Sequence, residues 1–187
     1  MTDGITIEVV PSLDAQGAAL RDWAGLLGDF SGFWRRVTDL TERAVAKNIE
    51  SGGDWSGRSF PPLSAGYAAF KARHFPGRPI LVQSGALRAS LRSGGAGNLR
   101  RVGANLTDFG TALDYADDVA QEGRPPVRFR RDWNAVLVEL YGAFVVLKMR
   151  AAGVPSEWVS GSRLARMAYE GADESALARA AARRLSL

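Results

Sequence analysis

The sequence predicts an α+β fold: a small, curved, mostly antiparallel sheet packed against one long helix, with extra helices towards the C-terminus. Three observations predict it. Phe33, Val37, Leu40, Ala44, Val45 and Ile49 recur at helical spacing, with Arg35, Arg36, Asp39, Glu42 and Arg43 off that stripe, so Gly32–Glu50 reads as an amphipathic helix. Ile5–Val9 alternates apolar and polar residues as a half-buried strand does. Beyond Asp132 the chain reads as a long helix to Arg150, ended by Gly153 and Pro155, and then as two short helices over Gly161–Leu187. The implied division is an α+β domain over 1–129 and a helical extension over 130–187.

Taken in order, Pro11 ends the first strand, and Leu20–Leu27 forms a short helix that Gly28 stops. Ser31 is placed to cap the long helix, and Gly52-Gly53 stops it. A loop with Trp55, Phe60 and two prolines follows, and Ser64 caps a second helix over Ala65–His74. Ser84–Leu91 reads as a helical turn entering a strand. Gly94–Gly97 reads as a hairpin-like connection and Leu99–Val102 as the return strand. Leu113–Gln121 is another short helix. Gly123 stops it, and Pro125-Pro126 force an extended path. Asp132 caps a long helix to Arg150 whose face carries Trp133, Val136, Leu137, Leu140, Tyr141, Phe144, Val145 and Met149. Gly161–Leu187 holds two short helices rich in alanine and arginine.

The chain has 187 residues, 46% hydrophobic and 24% charged, the size and balance of one ordinary globular domain with an appendage. No apolar run reaches the roughly 18 residues of a membrane span, since Glu139, Gly142 and Lys148 interrupt the longest one, Ala135–Met149. The first residues lack a basic region followed by an apolar core, so no secretory signal is expected. There is no cysteine, which removes disulfides, thiolate metal sites and cysteine nucleophiles together. The one histidine, His74, leaves no histidine-rich metal site, and no Gly-x-Ser-x-Gly elbow is present. Net charge is +4, carried mainly by arginine, which suits nucleic acid and acidic protein surfaces alike.

The middle of the chain holds an ordered succession of small signals. Trp55 is followed by Pro62-Leu63-Ser64, Tyr67 and Lys71, then Ile80-Leu81 and the segment Ser84-Gly85-Ala86-Leu87-Arg88-Ala89-Ser90-Leu91. Val102-Gly103, Tyr115-Ala116, Gln121-Glu122-Gly123 and Pro126-Val127-Arg128 complete it. This succession, over roughly Gly32–Phe129, resembles the phage virion-morphogenesis family, including the Mu G-like and related tail-completion proteins. It departs from the pattern at Ala120, where a histidine is common, at Val127, and in continuing well past Arg128 to Leu187.

The resemblance implies a non-enzymatic structural subunit acting in head–tail joining or tail completion, with no cofactor and no metal. It implies a homo-oligomeric ring of on the order of six or twelve copies. Neighbouring neck, portal or tail proteins would be its partners, and DNA at most would pass through the channel. Its place would be the virion, assembled in the host cytoplasm. The same residues have scaffold roles on physical grounds alone: Ser84 and Gly85 start a helical turn, Leu87 and Leu91 share a face, and Gly123 and Pro126 fix a corner.

Two clusters invite sharper readings. Asp114, Asp117, Asp118 and Glu122 share one side of a helix, which suits either a solvated acidic face or an oxygen-ligand magnesium site. Arg124, Arg128, Arg130 and Arg131 cluster with Phe129 and Trp133, a mixture that docks an acidic subunit surface or binds single-stranded nucleic acid. The interface residues expected are Trp55, Arg124, Arg128, Arg130, Arg131 and Trp133. The competing function is a DNA-binding protein of packaging or nucleoid organisation.

Overall fold

The computed structural model describes residues 18, 21, 22, 24, 25, 27–53, 58–153 and 162–187. Their elements are α1 (Ser31–Ser51), α2 (Ala65–His74), α3 (Ala86–Ser90), β1 (Asn98–Val102), β2 (Thr107–Thr111), α4 (Ala116–Gln121), α5 (Trp133–Ala151), α6 (Arg163–Tyr169) and α7 (Glu174–Arg184). The fold is α+β, with the two strands forming one antiparallel pair. The expected strand at Ile5–Val9 lies outside the described residues. So do Leu20, Trp23 and Leu26 of the expected first helix, whose described residues are helical up to Leu27.

The long helix α1 organises the molecule because its apolar stripe serves two cores. Its first half places Phe33, Val37, Leu40 and Ala44 against Val136, Leu140, Ala143 and Phe144 of α5, with α6 and α7 closing the bundle through Leu164, Ala168, Leu177 and Ala181. The fully buried alanines Ala143, Ala168 and Ala181 let these helices approach closely. Its second half places Val45 and Ile49 against Val82, Leu87 and Leu91, edged by Phe109, Leu113, Val119 and Val127. The helical segment 130–187 therefore shares α1 with the α+β part.

Several local expectations change. Ser31 does not cap α1: Phe30 holds the cap position, and Asp29 Oδ1 accepts the Ser31 backbone N–H at 2.8 Å. That bond holds the Asp29 carboxyl below the usual carboxylate range. Gly52 ends α1 in the left-handed region at φ 66°, as expected. Asp132 stands at the start of α5, but its carboxylate engages Arg130 rather than a helix N–H. Ser64, Ser162 and Asp173 do accept backbone N–H groups at the starts of α2, α6 and α7.

The hairpin also differs. Asn98 pairs with Thr111 and Val102 with Thr107, so β1 returns through Gly103–Leu106 and not through Gly94–Gly97. Gly94–Gly97 instead links α3 to β1, and Ser84–Leu91 supplies a helix rather than an entry to a strand. The glycine requirement has a packing cause: a Cβ on Gly95 would lie 1.7 Å from the Ala89 carbonyl oxygen. β2 escapes the periodicity argument because Phe109 is its one large apolar residue. No helix among the described residues is long and apolar enough to cross a membrane.

Candidate assembly interface

Several segments of the resemblance meet around the second half of α1. Gly85, at φ 94°, starts α3, and Ser84 Oγ accepts the Ala86 N–H at 3.2 Å. Leu87 and Leu91 then drop into the core beside Ile49. Ser90, fully buried, joins α3 to the hairpin. Its hydroxyl donates to the Leu87 carbonyl at 2.9 Å and accepts from Thr111 Oγ1 at 2.7 Å, while its carbonyl accepts from Asn98 Nδ2 at 2.9 Å.

Arg100 ties β1 to α1 through Asp39 at 2.9 Å and Glu42 at 3.5 Å. Asn48, fully buried in the α1 stripe, donates to the carbonyls of Pro126 at 3.1 Å and Arg128 at 3.2 Å, which fixes the proline corner.

Lys71 is the least expected of these anchors. It is 5% exposed, the buried residue of α2. Its ammonium donates to the carbonyls of Pro79, Ile80 and Val82 at 2.5, 2.8 and 2.9 Å, holding the 79–82 turn under the helix. Burial, and secondarily the Arg78 guanidinium, lowers its pKa from the ordinary 10.5.

The arginine stretch proves to be largely internal. Arg124 donates to the carbonyls of Pro61 at 3.0 Å and Pro62 at 2.9 Å and pairs with Glu122, so it staples the 61–62 loop to the end of α4. Arg130 forks onto both Asp132 oxygens at 3.0 Å and reaches the Leu185 carbonyl at 3.4 Å. Trp133 is corrected from a docking anchor to a core residue: it is 4% exposed, because the broad apolar face of α5 turns it inward, with Phe129 stacked on it at 4.5 Å. Arg128 is partly buried at the corner that Asn48 holds. Phe129 and Arg131 remain exposed. Trp55 lies outside the described residues.

Comparison of the chain with protein-family models, with curated proteins and with solved structures finds no match. The resemblance therefore rests on the residues themselves.

The acidic residues also resolve into places. Asp114 precedes α4, and Asp117, Asp118 and Glu122 follow along it, all exposed. No group of three or more His, Cys, Asp or Glu that could hold a metal ion occurs among the described residues. A groove of about 560 Å³ runs between α2, the 80–87 segment and α4, lined by Tyr67, Leu81, Tyr115 and Val119 with Glu122 and Arg124 at one end. Those two charges neutralise each other.

An outward-facing combination of aromatic rings with arginine sits on α2. Tyr67, Phe70 and His74 form a ladder there, with ring separations of 6.0 and 4.5 Å, and Phe75 packs edge-on against Phe70. The i, i+3, i+7 spacing of the ladder was readable in the sequence. Its exposure was not, because it depends on Lys71 being the residue that α2 buries.

Proposed function

We propose that the chain is a structural, non-catalytic subunit of a tailed-phage or phage-like particle, acting in head–tail joining or tail completion as a ring component of the neck. The observation that carries this reading is the convergence of the resembling segments. Ser84–Leu91, Ala116 and the Pro126–Arg128 corner lie far apart in the chain, yet they meet at the second half of α1 through Leu87, Leu91, Ala116, Val127 and Asn48. Each of these has a packing, capping or hydrogen-bonding task there, and the charged pair in the neighbouring groove is spent on itself. A scaffold whose polar groups serve its own backbone suits assembly better than turnover. The particle would be built in the host cytoplasm, with neck, portal or tail proteins as neighbours.

Electron microscopy of the purified protein, alone and mixed with tails, tests the reading. Rings or tails capped at one end are expected. Dispersed monomers that leave tails bare, or that bind duplex DNA with a steep salt dependence, overturn it.

A further inference from the structure

The charge of this chain is segregated along its length in a way that its net value hides. From Trp55 to Thr107 there are eight Lys and Arg and no Asp or Glu; from Asp108 to Glu122 there are five Asp and Glu and no Lys or Arg. Part of the first group is used internally: Arg88 pairs with Glu50, Arg100 with Asp39 and Glu42, and Lys71 is buried. Among the described residues, Arg73, Arg78, Arg92 and Arg101 have no carboxylate partner, and neither do Asp108, Asp114, Asp117 and Asp118.

Arg73 flanks the aromatic ladder on α2, and Arg78 stands beyond its end, bonded to the Gln83 carbonyl. At roughly 100° per residue, Lys71 falls about 70° to one side of the Tyr67–Phe70–His74 stripe and Arg73 about 90° to the other. The Arg78 guanidinium lies 5.8 Å from the Phe75 ring centre. Phe70 is 44% and Tyr67 38% exposed, an apolar outlay that a ten-residue helix holding one buried residue does not recover by itself.

α4 separates this face from the acidic one. Tyr67 shares its groove with the Val119 and Glu122 side of α4. Asp114 and Asp117 line a separate cavity on the other side, with Leu113 and Pro126. The two faces carry opposite charge, and no ion pair joins them within the described residues.

We infer that the aromatic–arginine face of α2 docks onto the Asp114–Asp117 side of α4 in a second copy of this chain. The contact joins unlike faces, so it repeats from subunit to subunit and closes into a ring or grows as a filament. Aromatic and arginine anchors supply the buried centre, and the carboxylates supply orientation and partner choice. The inference deepens the assembly reading and rests on it.

Charge reversal tests it. Sedimentation at low ionic strength is run on the full chain, on Arg73→Glu with Arg78→Glu, and on Asp114→Arg with Asp117→Arg. The wild type should associate, and each double variant alone should associate at least tenfold more weakly, because both of its faces then carry one sign. An equimolar mixture of the two variants should restore assembly, since each face again meets its opposite. Phe70→Ala, which changes no charge, should weaken association with an unchanged circular-dichroism melt. If both double variants assemble like the wild type, these faces are wrong while the assembly reading survives. If the wild type stays monomeric, the assembly reading falls and the inference with it. If the wild type instead binds a single-stranded oligonucleotide as a monomer, and the Arg73/Arg78 variant does not, the face serves nucleic acid and the inference is overturned.

Discussion

At the scale of single residues, two positions show how this chain uses groups that a composition table would misassign. Lys71 looks like a surface cation, yet its ammonium ties α2 to three carbonyls of the 79–82 turn. Lys71→Met should cost about 1–3 kcal/mol, because the Ile80 and Val82 carbonyls lose this donor and the Pro79 carbonyl keeps only the Val82 N–H. The pH dependence has a definite sign. The folded pKa is lowered, so the unfolded chain keeps this proton to higher pH than the folded one, and wild-type stability relative to Lys71→Met should rise from neutral pH towards 10.5. Melting temperatures of the two proteins across that range check it.

Gly95 is the second case. Gly95→Ala should cost several kcal/mol or prevent folding, since the new methyl group would sit 1.7 Å from the Ala89 carbonyl oxygen. Gly66→Ala, inside α2 with nothing near it, should instead stabilise by about 0.5–1 kcal/mol. Chemical denaturation of both variants separates a glycine needed for approach from one that is merely tolerated.

At the scale of elements, α1 is the clearest success of pattern reading, and its one interior amide is the detail that pattern reading passes over. Asn48 lies in a helix face otherwise filled by Val45 and Ile49, where a polar side chain is costly unless satisfied. It is satisfied by the two carbonyls of the Pro126–Arg128 corner, an extended stretch whose prolines donate nothing. Asn48→Ala should therefore cost about 1–3 kcal/mol and free the corner. Hydrogen exchange should then rise over 124–131 while α5 and α7 stay protected, and unchanged exchange there would show that the corner is held by its prolines alone. The hairpin and the arginine stretch teach the opposite lesson. Glycines mark both turns and close approaches, and arginines mark both interfaces and backbone staples; Gly95 and Arg124 belong to the second kind in each pair.

At the scale of the whole molecule, the helical segment after Asp132 completes the core. Phe33, Leu40, Val136 and Leu140 are covered only when α6 and α7 bring in Leu164, Ala168, Leu177 and Ala181. Truncation before Ser162 should uncover that apolar layer and abolish cooperative melting, with dye-detected exposed hydrophobic surface as the readout. A truncated chain that melts as sharply as the full one would show that the second core, around Ile49, Leu87 and Leu91, stands alone.

By itself the sequence determined the elements whose signal is local and repeated. The stripe of α1, the apolar face of α5, the Ser64 cap, the paired C-terminal helices and the class of fold all follow from spacing that a helix converts directly into a face. Only the tertiary structure decided which groups remain available to a partner. Whether Arg124, Arg130 and Trp133 point outward depends on carbonyls and helices far away in the chain, at Pro61, Pro62 and Leu185 and in the α1–α5 core. The exposed ladder on α2 became visible for the same reason: one distant turn claims Lys71, and that contact chooses which side of the helix faces the solvent.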